Sequence, residues 1–74
     1  MDELPEAVDI GTRLYLARKR KRLTQIELAD ALETTPQSVS RWEQGAISPT
    51  VQQLMRICRA LDIDPVVVLR PVVV

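Results

Sequence analysis

The sequence predicts an all-α domain of five short helices, on three observations. Apolar residues recur at three- and four-residue spacing through most of the chain, the period of a helix buried along one face. Helix-start signals punctuate it: Thr24 followed by Glu27, Thr35 before Pro36, Thr50, and Asp64 before Pro65. The 74 residues allow one small core and no more, because a chain of this size buries only about 60% of its unfolded surface.

Taken in order, residues 1–8 form an acidic arm with Asp2, Glu3 and Glu6. From Asp9 to about Lys21, Ile10, Leu14 and Ala17 share one face of a first helix, with Leu16 as an exposed apolar exception. Thr24 and Glu27 make a capping box for a second helix of about eight residues, whose inward face is Leu28, Ala29 and Leu32. Only Glu33 and Thr34 separate it from a third helix, which Thr35 caps, Pro36 starts and Gly45 closes. Val39 and Trp42 are the inward stripe of that third helix. A fourth starts near Thr50 and turns Val51, Leu54, Ile57, Cys58 and Leu61 inward. Asp64 and Pro65 open a last short turn through Leu69, so the folded domain spans residues 9–69. In the tail, residues 70–74, Val72, Val73 and Val74 follow a proline and are β-branched, which predicts extended chain that is frayed, packed on the domain, or in contact with another chain.

Composition excludes several classes of function. The single cysteine, Cys58, rules out an intrachain disulfide, and with no histidine there is neither a metal-ligand cluster nor an ordinary proton shuttle. Cys58 falls on an inward face, no nucleophile has a visible base, and no glycine-rich loop is present to cradle phosphate, so an enzyme is not expected, nor a cofactor or metal. The start lacks a secretory signal, and the longest apolar run, Val66 to Leu69, is far too short to span a bilayer, which leads to the expectation of a soluble cytoplasmic protein. The net charge is zero, yet it is unevenly placed: the first nine residues are acidic, whereas Arg13 and the run Arg18 to Arg22 are basic. That run reads either as cations at the negative pole of a helix or as a field for a polyanion.

Two short helices joined by a tight turn, the second polar at its start, are the ingredients of a helix-turn-helix, although a plain helical bundle uses the same turn. If Val39 and Trp42 are buried, the helical period turns Gln37, Ser38 and Arg41 to the opposite face. Those side chains suit base edges: glutamine matches adenine, arginine forks onto guanine, and serine adapts to either. Arg41 is long enough to reach a phosphate instead, and the Thr35 hydroxyl contacts a base or is spent as the cap. Gln25, with Thr24 beside it, lies at the start of the second helix, where free N–H groups attract a phosphate. Gln44 meets a phosphate across the groove or is an ordinary polar helix end.

The run "LTQIELADALETTPQSVSRWEQG" resembles the Cro and lambda-repressor-like, or XRE-type, helix-turn-helix family, through Gln25, Leu28, Ala29, Leu32, Ser38, Val39, Trp42, Glu43 and Gly45. "IGTRLYLAR" resembles that family's first helix and "SPTVQQLMRICRALDID" its fourth. The resemblance implies a compact five-helix lambda-repressor-like domain that lays its third helix in the major groove of double-stranded DNA. It also implies a phosphate-binding role for Gln25 and an ion pair between Arg18 and Glu43, with Arg18 within reach of phosphate as well. Glu33 departs from the pattern, which often has glycine there; a left-handed glutamate costs on the order of 1 kcal/mol. The expected function is a transcriptional regulator, a repressor in particular, acting as a homodimer through the C-terminal helices and tail on an inverted repeat. The alternative is a protein-binding module of the same fold, such as an antitoxin or anti-repressor, which the zero net charge, Leu16 and the valine tail favour.

Overall fold

Each helix starts where a side chain can satisfy the free amides of its first turn. A computed structural model describes residues 2, 3 and 5–73, with helices α1 (Ala7–Arg20), α2 (Gln25–Ala31), α3 (Pro36–Gln44), α4 (Val51–Leu61) and α5 (Pro65–Leu69). Met1, Leu4 and Val74, parts of the expected arm and tail, lie outside the described residues. Thr24, Thr35 and Thr50 accept hydrogen bonds from the amides of Glu27, Ser38 and Gln53, and Asp64 accepts one from Val66. α1 starts two residues earlier than the sequence reading placed it, because the Asp9 carboxylate accepts the Glu6 amide at 3.0 Å and stabilises the first turn. Glu6 and Asp9 therefore belong to a helix cap, and the acidic arm is shorter than eight residues.

The helix ends share one device. Arg22, Glu33, Gly45 and Asp62 sit in the left-handed region with φ of 58°, 55°, 75° and 54°, ending α1 to α4 in turn. In each case the next amide reaches back to a carbonyl of the last turn: Leu23 to Arg18 (3.3 Å), Thr34 to Ala29 (2.9 Å), Ala46 to Arg41 (3.0 Å) and Ile63 to Cys58 (2.9 Å). The turn between α2 and α3 thus has the left-handed glutamate that the missing glycine implied.

The core lies where the five inward faces meet. Leu14 and Ala17 of α1, Leu28 and Ala29 of α2 with Leu32 at its C-terminal cap, Val39 and Trp42 of α3, Leu54, Ile57, Cys58 and Leu61 of α4, and Val68 of α5 are all buried. Val51, expected to face inward, is 77% exposed, since it is the first residue of α4 and precedes the turn that meets the core. Leu16 is exposed, as its place off the apolar stripe requires. Two arginines hold helix ends by their carbonyls: Arg13 donates to Val68 (2.8 Å) and Arg70 (2.6 Å) at the end of α5, and Arg56 to Leu32 (2.8 Å) at the end of α2. Beyond the helices, β1 (Asp2–Glu3) and β2 (Val72–Val73) form an antiparallel pair with Asp2 opposite Val73 and Glu3 opposite Val72. Of the three fates open to the valine tail, its described part takes an intrachain one and pairs with the start of the chain.

Candidate nucleic-acid interface

Val39 is 1% exposed and Trp42 6%, which fixes the roll of α3. Burying two side chains of this size stabilises that orientation by roughly 1.5–3 kcal/mol each. The opposite face carries Gln37 and Arg41, both exposed, one turn apart, and without a side-chain hydrogen bond or ion pair among the described residues. Ser38 is half-buried beside them. Its hydroxyl shares a hydrogen bond with that of Thr35 (3.1 Å), while Thr35 also accepts the Ser38 amide (3.2 Å). These two hydroxyls keep only part of their capacity for a ligand. At the far end of α3, the Gln44 amide donates to Ser40 at 3.1 Å and is held against its own helix.

A buried node sets α3 against the rest of the fold. Arg18 donates from Nε to Glu43 Oε2 at 2.6 Å and from NH2 to Glu43 Oε1 at 2.9 Å, and its NH1 donates to the Leu23 carbonyl at 2.8 Å. The two side chains are only 7% and 5% exposed. The hydrogen bond to Glu43 is the largest influence on Arg18 and raises its pKa above the ordinary arginine value, against the opposing effect of burial. Gln25 completes the node by donating from Nε2 to Glu43 Oε1 at 3.1 Å, so α1, α2 and α3 meet at one carboxylate. Arg18 is 6% exposed and each of its guanidinium nitrogens is hydrogen-bonded within the fold, so little of the side chain is left for the phosphate contact expected of it from sequence.

The approach of α1 to α3 at this node depends on a residue the sequence reading passed over. A Cβ on Gly11 would run into the Trp42 carbonyl oxygen and lie 2.6 Å from that of Glu43, so only glycine lets the two backbones touch there. Gly45 is constrained twice over, by its φ of +75° and by a would-be Cβ 2.8 Å from the Cα of Val8.

Around the start of α2, Arg18, Lys19, Arg22, Leu23, Thr24, Gln25, Ile26 and Pro36 line one surface recess. Thr24 accepts the Glu27 amide at 3.0 Å and gives its own amide to the Glu27 carboxylate at 2.9 Å, which leaves its hydroxyl hydrogen and the exposed cations of Lys19 and Arg22 for an anion. The structure therefore brings Gln25 and Thr24 to the same side of the domain as the start of α3. Among the described residues no three His, Cys, Asp or Glu side chains are placed to hold a metal ion. No helix is long and apolar enough to cross a membrane.

Comparison with known proteins adds a family to this geometry. A family model described as helix-turn-helix matches residues 14–68. The HTH-type transcriptional regulator DicA of Escherichia coli (strain K12) is 39% identical over 56 residues, which are 76% of this chain and 42% of DicA. The chain spans about two fifths of the length of the curated relatives it matches. Among solved structures, the restriction-modification controller protein C.AhdI from Aeromonas hydrophila superposes with a TM-score of 0.79 at 29% identity, over 84% of this chain and 94% of that one. The same arrangement occurs within HppE, with a TM-score of 0.80 at 26% identity over 88% of this chain but only 36% of HppE.

Proposed function

The chain belongs to the helix-turn-helix family, and on that premise we propose that it is a sequence-specific binder of double-stranded DNA and a transcriptional regulator, a repressor in particular. The observation that carries this reading is the roll of α3: Val39 and Trp42 are buried, while Gln37 and Arg41 stand on the opposite face without partners in the fold. Buried inside a protein such groups would be costly, but facing a major groove they match adenine and guanine edges. Gln37, Ser38 and Arg41 read bases, and Thr35 contributes with what its hydroxyl has left. Gln25, Thr24 and Gln44 contact phosphates on the two sides of the groove, and Lys19 and Arg22 add field at the rim of the recess.

The active unit in this reading is a homodimer joined through α4, α5 and the tail, where Val51, Met55, Val66 and Leu69 are exposed. A two-fold pair presents two copies of α3 about 34 Å apart, so its operator is an inverted repeat with half-site centres one helical turn apart. The likeness to DicA, a transcriptional regulator, supports regulation of transcription as the setting. Selection of bound sequences from a random DNA pool tests the reading; an inverted repeat must be enriched. With about three phosphates neutralised per subunit, log K should fall with log salt at a slope near −5, from roughly −0.9 per contact. A pool that stays random, or binding indifferent to salt, overturns the proposal.

A second reading, a protein-binding module such as an antitoxin or anti-repressor, is favoured by the exposed Leu16 and Val66 and the zero net charge. Binding to random duplex at low salt separates the two, because a pure protein-binding module binds none.

A further inference from the structure

We propose that Pro36 and Ile26 form an apolar seat for the 5-methyl group of a thymine, so that the base pair facing the start of α3 is read by its methyl and not by hydrogen bonds. This rests on the DNA-binding reading above. Pro36 is the first residue of α3 and is exposed; Ile26, in the first turn of α2, is 61% exposed, and the two line the same recess. Neither serves the core, which on α2 consists of Leu28 and Ala29 and on α3 of Val39 and Trp42. The exposed cations Lys19 and Arg22 line the same recess; they suit a phosphate backbone and would repel a cationic partner.

An apolar pair among cations at the tip of a groove-reading helix has a complementary feature in B-DNA. On the major-groove edges the thymine methyl is the apolar group that projects far enough to fill a seat, whereas the other positions offer donors, acceptors or bare C–H. Residues at the start of such a helix lie nearest to those edges. Proline has no amide hydrogen and no polar side-chain atom, so Pro36 discriminates by shape alone. A purine at that position sets polar atoms against the apolar pair, and a cytosine offers only a C5–H that leaves the seat unfilled; both cost binding. Gln37, the next residue, then reads the neighbouring pair by hydrogen bonds, giving α3 two adjacent positions with different chemistry.

The test uses the full chain and the duplex it enriches from a random pool. Each thymine of one half-site is replaced by uracil, one position at a time, which removes the methyl and leaves every hydrogen-bonding atom in place. At one position the dissociation constant should rise about fourfold, the worth of one buried methyl group. Pro36→Ser, whose fold is checked by circular dichroism, should bind the thymine and uracil duplexes alike, and Ile26→Ser should shrink the difference. Selective binding with no thymine sensitive to uracil overturns the seat and leaves the DNA-binding reading standing. An undiminished uracil effect in Pro36→Ser also overturns it, and no selective binding to any duplex overturns both readings.

Discussion

Replacing Glu43 with alanine should be among the most damaging single changes on the DNA-facing half of the fold, although Glu43 itself touches no DNA in the proposed complex. The substitution removes three hydrogen bonds at once: two from Arg18, at 2.6 and 2.9 Å, and one from Gln25 at 3.1 Å. Arg18 keeps only its bond to the Leu23 carbonyl, and the guanidinium stays at a site where its side chain is 7% exposed. An arginine cannot shed its charge near neutral pH to relieve the strain, so the whole penalty falls on the fold. Breaking a buried pair in this way costs about 3–5 kcal/mol. A domain of 74 residues has about 4–11 kcal/mol of stability in total, so the variant should lose between about a quarter and all of it. Its melting temperature should drop by at least about 12 °C, taking about 4 °C per kcal/mol.

Urea titration read by the fluorescence of Trp42, the sole tryptophan and 6% exposed, measures the loss directly. Gln37→Ala, which removes an exposed side chain without partners, should stay within about 0.5 kcal/mol of the parent and serves as the control. The pair Arg18→Met with Glu43→Leu removes both charges and should recover most of the loss, because no stranded ion remains. A Glu43→Ala protein within about 1 kcal/mol of the parent, where a loss of at least about 3 kcal/mol is expected, would refute the buried-node account, and a double variant no better than the single would assign the loss to packing.

Four further expectations follow from particular residues. Gly11→Ala should destabilise by about 1–3 kcal/mol in the same titration, since its Cβ meets backbone carbonyls of α3 that have no rotamer to escape into; a neutral result would mean the helices separate freely. Glu33→Gly should stabilise by about 0.5–1 kcal/mol by relieving a φ of 55°, and no gain would show that the glutamate makes a compensating contact. Cys58 has its pKa raised, first by burial and then by the Asp64 carboxylate, so the unfolded chain ionises its thiol at lower pH than the folded one. The stabilising contribution is complete below the ordinary thiol pKa of about 8.5 and falls as pH rises from there toward the folded value, a decline that Cys58→Ala should abolish in urea titrations at pH 7 to 10. Arg41→Ala should weaken binding to the selected duplex; relaxed preference at one position marks a base contact, whereas uniform weakening with a salt slope reduced by about 1 marks a phosphate contact.

What was legible in the sequence is what short-range hydrogen bonds decide. Thr24, Thr35, Thr50 and Asp64 announce their helices because a cap bonds an amide two or three residues away. Val39 and Trp42 announce the roll of α3 because a period of 3.6 leaves them no other shared face. Two misses are local, the Glu6–Asp9 cap that starts α1 early and the exposed first residue of α4, Val51; the others are non-local. Arg13 and Arg56 look like solvated cations, yet their partners are carbonyls 55 and 24 residues away in sequence. Gly11 reads as a weak spot in a helix until the crossing of α3 over it is known. Val72 and Val73 were recognised as extended chain, but nothing in a valine names Glu3 and Asp2 as its pairing partners. Arg18 suits a phosphate as well as a carboxylate on sequence alone, because a sequence does not show how many of a guanidinium's donors are already engaged.

The restraints on α3 are distributed unequally, and the proposed reading head depends on that. Its C-terminal half is clamped by the contact of Gly11 with the Trp42 and Glu43 carbonyls, by the Arg18–Glu43–Gln25 node, and by Gly45 against Val8. Its N-terminal end, where Pro36 and Gln37 stand, is held by the local cap of Thr35 and by the burial of Val39. The helix axis is thus set mainly by contacts behind the residues proposed to read bases. Gln25 ties the two tasks together, since the carboxylate that orients its amide is the one that anchors α3 to α1. A phosphate held by Gln25 would then report the position of the backbone to the same node that sets the roll of the reading helix, which gives the recess and α3 a common register on the duplex.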